Sequence, residues 1–142
     1  DLSHNPEYIP KFLEDLEFAD VVVGSRYVEG GRIDRNWSVG RRVLSIFANI
    51  IIRNVSGIRI RDASSGYKAY RVNVLKALDL GLFRCKGFGF QIEVIHALEN
   101  RGYTIWEHPI NFTDRTCGKS KMTVRILLEA LCRLLLLRWR PI

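Results

Sequence analysis

Apolar and polar positions alternate along this chain as in any set of short helices and strands, except over residues 40–71, GRRVLSIFANIIIRNVSGIRIRDASSGYKAYR. The first half of that stretch has helical spacing with the usual proportions inverted. Val43, Leu44, Ile46, Phe47, Ala48, Ile50, Ile51, Ile52 and Val55 are apolar, while Arg42, Ser45, Asn49, Arg53 and Ser56, at steps of three and four, form one narrow polar stripe. This pattern predicts a helix that is buried or lipid-facing on most sides and polar along one seam. The plainer alternative is a buried helix with a solvated edge. The turn that follows, residues 61–66, is short, polar and glycine-ended, and is placed to present Asp62 beside the seam. An anion-handling pocket next to an apolar surface has this form.

The remaining pattern reads as alternating helices and strands. Pro6 and Glu7 suit the first turn of a helix carrying Tyr8, Ile9, Phe12, Leu13 and Leu16. Asp20 introduces the apolar run Val21, Val22, Val23, ending at Gly24, which is a short buried strand. Ser25, Arg26 and Tyr27 then fall at its carboxyl end, where open α/β sheets place ligands. Residues 29–32 read as a flexible turn, and Trp37 as a packing anchor at the start of the central helix. Residues 67–70 alternate as a strand does, residues 72–80 form a short helix, residues 81–89 a loop, and residues 90–100 a helix stopped by Gly102. Residues 103–107 and 110–112 are strand-like, with Pro109 marking an edge or a break. Residues 114–121 are a basic loop, and residues 123–139 a leucine-rich helix spiked with Arg125, Arg133 and Arg138.

Composition narrows the field. The 142 residues make one domain with a core, and an apolar fraction of 47% excludes a disordered chain. The net charge of +7 favours an anionic partner: nucleic acid, a phosphorylated substrate or an acidic membrane surface. Cys85, Cys117 and Cys132 have no metal-type spacing and read as free thiols of a reducing compartment. No apolar run approaches the about 20 residues that span a bilayer. The chain starts at Asp1 without a methionine, which suggests a piece whose N-terminal part is absent.

Four places carry candidate chemistry. Asp1 lies in a polar loop, where a lone carboxylate is weak evidence for a metal; Mg2+ or Mn2+ needs further oxygen ligands. Arg26, after a strand, suits a phosphate or plain solvent. Arg42 and Ser45 on the seam, with Asp62, make the stronger constellation. The loop containing Arg115, Lys119 and Lys121 sets three cations around a glycine, which lets backbone amides approach an anion, but it lacks the spacing of a nucleotide P-loop. A solvated basic turn is the alternative there. His4, His96 and His108 are scattered and suggest no metal site. A basic domain could also bind nucleic acid, but here the arginines flank apolar helices and glycine turns, and aromatic residues do not interleave with lysines as stacking platforms do. No nucleic-acid partner is expected.

Taken in order, DLSH-NPE, VVVGSRY, GG, W-RR-LS-AN, RDASSGYKAYR, GFGFQIE, PINFTDR and GKSKM resemble the polyprenol-phosphate mannosyltransferases, the dolichyl-phosphate mannose synthase branch of the family 2 glycosyltransferases, over residues 1–123. The resemblance implies an α/β fold with the mixed central sheet of a nucleotide-sugar glycosyltransferase of GT-A type, its nucleotide-binding half preceding this chain. Residues 1–122 would be the acceptor-side part of the catalytic domain. Over residues 123–139 the apolar positions cover more than one face and the charges are too many for a spanning helix, so residues 123–142 read as an amphipathic interfacial helix; the plainer alternative is that Leu127, Leu131, Leu134 and Leu135 pack on the central helix. The implied reaction is inverting transfer of a hexose, mannose from GDP-mannose, to the phosphate of a polyprenyl or dolichyl monophosphate. Related branches transfer glucose, and a non-catalytic basic membrane- or nucleic-acid-binding module is the other alternative.

The resemblance also implies roles. Asp1 matches the last aspartate of an Asp-x-Asp motif that holds a divalent cation, Mg2+ or Mn2+, on the donor diphosphate; Ser3 stands where some members have a better metal ligand. Arg26, Arg42 and Ser45 match residues that hold the acceptor phosphate. Asp62 matches the aspartate of the turn at the reaction centre, there to orient either the sugar or the basic groups. Gln91 and Glu93 match a helix near the donor sugar, and Arg115, Lys119 and Lys121 a loop that closes over the donor diphosphate. The implied partners are a nucleoside-diphosphate sugar, a polyprenyl phosphate and a membrane surface, with the protein peripheral on the cytoplasmic face.

Overall fold

The computed structural model describes residues 4–34, 37–85, 87–113 and 135. The elements run α1 (Tyr8–Asp15), β1 (Val21–Ser25), β2 (Arg32–Ile33), α2 (Val39–Ser56), β3 (Lys68–Tyr70), α3 (Val72–Ala77), a 3-10 turn (Leu80–Leu82), α4 (Phe88–Asn100), β4 (Ile105–Pro109) and β5 (Asn111–Phe112). The expected basic loop at residues 114–121 and helix at residues 123–139 lie outside the described residues.

β1 is the middle of a three-stranded mixed sheet ordered β3-β1-β4, antiparallel to β3 and parallel to β4. All five of its residues are buried, as an unbroken apolar run requires when both faces are covered. The twofold alternation of a strand sends Val21 and Val23 into one core and Val22 into another. The larger core takes Ile52 of α2, Ile58 and Ile60 after it, Val74 of α3, and Ile92, Ile95 and Leu98 of α4. The smaller one takes Phe12 of α1, Ala19 and Ile110. The strand runs one residue past its expected end at Gly24. A Cβ on Gly24 would come within 3.0 Å of the Phe12 ring, so glycine here gives room to the second core without ending the strand.

Pro109 is the last residue of β4, opposite Ser25, and the chain then passes to a second sheet. There β5 pairs in parallel with β2, so Arg32, expected in a flexible turn, is in a strand. Two-residue strands have no periodicity to detect. α4 starts two residues before its expected start, on Gly87 at φ 58°, and α3 ends at Ala77, short of residue 80. Trp37 anchors as expected: its ring meets Phe112 edge-on at 5.7 Å, and the Arg41 guanidinium lies 3.8 Å above it.

α2 is closed at both ends by local capping groups. Ser38 caps it, accepting the Arg41 N–H at 3.3 Å, and Gly57 closes it at φ 77° with its N–H on the Arg53 carbonyl. Its orientation overturns the plainer alternative. The polar stripe is the packed face: Ser45, Asn49 and Ser56 are buried beside Ala48 and Ile52. The apolar residues point outward, with Val39 79%, Val43 58% and Phe47 60% exposed, and Leu44, Ile46 and Ile50 exposed beside them. The helix is inside out relative to an ordinary surface helix.

Arg71 joins the sheet to the end of α1. Its Nε donates to the Ala19 carbonyl at 3.0 Å, and its Nη2 donates to the Glu17 carbonyl at 2.8 Å and to that of Leu16. These carbonyls are left over where α1 ends. Replacing Arg71 with methionine keeps the aliphatic stem and orphans them, so thermal unfolding should show a loss of about 2 kcal/mol. An unchanged midpoint would contradict this role.

Candidate functional site

The site grows from the carboxyl end of β1. That strand delivers Arg26 against the turn at residues 61–66, and the two are locked together. Arg26 Nε donates to Asp62 Oδ2 at 2.7 Å and Nη2 to Oδ1 at 2.7 Å, while the Arg26 backbone N–H reaches Oδ2 at 3.1 Å. Asp62 is fully buried. The Ser64 hydroxyl donates to Asp62 Oδ1 at 3.3 Å and accepts from Arg26 Nη2 at 3.2 Å. This is a bidentate, charge-assisted pair. The rings of Tyr27 and Phe112 flank the guanidinium at 5.2 and 5.4 Å. Burial by itself lowers the Arg26 pKa; the hydrogen bonds and charge of Asp62 outweigh it and leave the group above its ordinary value.

The turn is fixed from behind. The Glu107 carboxylate accepts the Arg61 N–H at 2.7 Å and the Asp62 N–H at 2.9 Å. The Ser65 hydroxyl donates to the Gly24 carbonyl at 2.7 Å, tying the turn to β1. The α2 seam closes one side: Ser45 and Tyr27 share a hydrogen bond of 2.7 Å, and Asn49 Nδ2 donates to the Ser45 carbonyl at 3.1 Å and the Ser64 hydroxyl at 3.4 Å. Burial raises the Tyr27 phenol above its usual range, which keeps it a neutral hydroxyl. On the other side Lys68 Nζ donates to Gln91 Oε1 at 2.9 Å, to the Gln91 carbonyl at 3.3 Å and to the Ala63 carbonyl at 3.4 Å. Burial lowers Lys68 to about 7, with the Asp62 charge opposing the shift.

The structure therefore brings Arg26, Ser45, Asp62 and Gln91 into one connected set. Arg42 is exposed at the start of α2, three residues before Ser45. Glu93 turns away from this set. Its Oε2 accepts the backbone N–H groups of Arg84 and Cys85 at 3.0 and 2.9 Å, holding the loop before α4. Asp1, Ser3, Arg115, Lys119 and Lys121 lie outside the described residues. Among the described residues no group of three or more His, Cys, Asp or Glu could hold a metal ion. The histidines are occupied elsewhere: His108 Nδ1 lies 2.6 Å from Asp15 Oδ2, His96 is bonded to Asn100, and His4 packs against Tyr67 with the rings tilted.

Sequence reasoning placed Tyr27 at the ligand end of the strand without a role, and did not single out Ser64, Lys68 or Glu107. Lys68 did carry a signal, a lysine inside a strand flanked by tyrosine and alanine. Glu107 carried none, because only the register that sets it opposite Val23 brings it under the turn.

A mixed α/β fold with a buried arginine–aspartate pair at the carboxyl end of its central strand, bordered by an apolar helix face, defines a domain suited to an anionic ligand. Residues 1–79 match the family described as Glycosyl transferase family 2, and with more than half of its 142 residues covered the chain belongs to that family. It is 40% identical over 130 residues to a protein named undecaprenyl-phosphate mannosyltransferase from Micrococcus luteus, across 92% of this chain and 53% of that one. It is 42% identical over 132 residues to a polyprenol monophosphomannose synthase from Mycolicibacterium smegmatis, across 92% of this chain and 49% of that one. The chain thus spans about half the length of the curated relatives it matches.

The Lys68 geometry makes stability depend on pH. Its folded pKa of about 7 lies below the ordinary 10.5, so between these values the unfolded chain binds more protons and stability rises with pH. From pH 7 to pH 9 the wild type should gain on the order of 2 kcal/mol relative to Lys68→Met. Denaturant titrations of both proteins across that window check it; parallel curves would contradict it.

Proposed function

We propose that the protein carrying this chain transfers mannose from GDP-mannose to the phosphate of a polyprenyl monophosphate, with inversion at the anomeric carbon. The observation that carries this reading is the inverted α2. Its packed polar seam borders the Arg26–Asp62 pair, with Ser45 bonded to Tyr27 and Asn49 to Ser64, and its exposed face of Val39, Val43 and Phe47 is apolar. An acceptor with an anionic head and a hydrocarbon tail needs both surfaces side by side. The names of the two relatives supply the substrate class.

The chemistry suits these groups. A phosphate monoester is already anionic near neutral pH, so its oxygen attacks without a strong base. What it needs is cationic surroundings that let one anion approach another. Arg42, exposed at the start of α2, would supply a mobile charge, and the Ser45 hydroxyl a hydrogen bond. Arg26 spends Nε and Nη2 on Asp62 and Ser64, and among the described residues its Nη1 donates to none, which suits an acceptor oxygen. In this reading Asp62 orients the basic group, and Gln91 meets the donor sugar.

Other parts of the reading rest on the resemblance alone. These are the loop of Arg115, Lys119 and Lys121 over the donor diphosphate, a place for Glu93 in donor binding, and Asp1 as a ligand of Mg2+ or Mn2+. When bound, that cation would stabilise the departing nucleoside diphosphate. Among the described residues no helix is long and apolar enough to cross a membrane. The reading places the protein peripherally on the cytoplasmic face, with α2 and residues 123–142 toward the lipid.

The full-length protein with Arg42→Ala tests this assignment. KM for polyprenyl phosphate should rise roughly tenfold to hundredfold, the worth of a charge-assisted contact, while KM for GDP-mannose stays within about twofold. Normal acceptor kinetics with weakened donor binding would assign Arg42 to the other phosphate. Turnover of UDP-glucose in preference to GDP-mannose would move the protein to a glucosyl branch.

A further inference from the structure

We propose that Lys68 is a positioning residue that fixes the side-chain amide of Gln91 with its Nε2 donors turned toward the sugar of the donor substrate. The identity of that ligand rests on the mannosyl-transfer reading above; the positioning itself rests on the following geometry.

Lys68 is the middle of the site's least explained feature, a cation drawn into the protein with no carboxylate in contact among the described residues. Nζ faces three acceptors, Gln91 Oε1 at 2.9 Å, the Gln91 carbonyl at 3.3 Å and the Ala63 carbonyl at 3.4 Å. Three acceptors and no donor match the three N–H groups of an ammonium. Asp62 is the charge that acts on it from the turn; β1 offers only Val23 opposite, and α4 offers the neutral Gln91. A methionine would fill the same channel without the desolvation cost. The lysine therefore does something an apolar side chain cannot.

What it does follows from the asymmetry of an amide. In its protonated form Lys68 only donates, so the end of Gln91 that faces the ammonium is the carbonyl oxygen. That leaves Nε2 as the outward end, and among the described residues Nε2 donates to none. Without Lys68 the amide is free to rotate, and either end can face a ligand. The same Nζ bonds the Ala63 carbonyl, next to Asp62, so the amide is set relative to the turn that holds Arg26. Gln91 thus becomes a fixed donor toward a hydroxyl oxygen, on the same rigid frame as the reacting phosphate's arginine.

A double-mutant cycle in the full-length protein tests this, with Lys68→Met, Gln91→Leu and the pair. It is read twice, as kcat/KM with polyprenyl phosphate and as equilibrium affinity for GDP-mannose. Lys68→Met should melt no lower than wild type and should lose about tenfold in both readouts, and in the Gln91→Leu background it should lose almost nothing further. Equal losses from Lys68→Met in both backgrounds would overturn the positioning role. Should Lys68→Met not fold, Lys68→Gln, which keeps a donor for the Ala63 carbonyl, takes its place in the cycle with the same two readings. The affinity readout separates the two claims. A coupled pair in GDP-mannose binding without transfer to polyprenyl phosphate would defeat the acceptor assignment and leave the strut standing; transfer with an additive pair would do the reverse.

Discussion

The ion pair between Arg26 and Asp62 is the constraint to which the rest of the described structure answers. A fully buried carboxylate is costly, and an ion pair taken out of water holds only when its remaining hydrogen bonds are met. Here they are met from several directions. Arg26 supplies two side-chain donors and its backbone N–H, and Ser64 supplies a hydroxyl. Glu107 then pins the backbone of the turn that carries Asp62, and Ser65 pins that turn to β1. The pair thus ties the middle strand of the sheet, its edge strand β4 and the turn after α2 into one rigid frame. It does more for the placement of groups than for net stability.

That frame explains the inverted helix. α2 has to bring polar atoms to the groups around the pair, so Ser45, bonded to Tyr27, and Asn49, bonded to Ser64, lie on its packed face. With Ser45, Asn49 and Ser56 sharing the inner face with Ala48 and Ile52, many of the remaining apolar residues fall on the outer face. An aqueous protein gains nothing from Val39, Val43 and Phe47 in solvent, and apolar faces of this kind mark surfaces that meet something else. A membrane carrying a polyprenyl phosphate would be met by that face with the phosphate site at its edge.

The sequence made some of this legible and not the rest. α2 itself was readable because its spacing is helical over many residues; its ends rest on local groups, Ser38 at one end and Gly57 at the other. β1 was readable because a run of valines between polar residues has few other fates. The polar stripe was also plain, but periodicity says only that a face exists and not which way it turns. That choice depends on Arg26 and Asp62, which lie 36 positions apart and whose pairing no local pattern encodes. Lys68 and Glu107 became part of the site through strand register, the same kind of long-range information. Arg26, Arg42, Ser45 and Asp62 were candidates from their places after a strand, on the polar seam and in the turn, and family motifs mark them too; neither source could say that Arg26 and Asp62 hold each other.

The central claim is that the outer face of α2 meets lipid while its inner face serves the phosphate site. The most direct measurement places an environment-sensitive fluorophore on that face, at Phe47→Cys in a full-length protein whose Cys85, Cys117 and Cys132 are serine, and adds anionic phospholipid vesicles containing polyprenyl phosphate. Emission at position 47 should become brighter and shift to the blue, with no change at an equivalent label on the exposed Glu14 of α1. Emission at position 47 that stays aqueous while the protein sediments with the vesicles would show that another surface meets the membrane, and would contradict the claim.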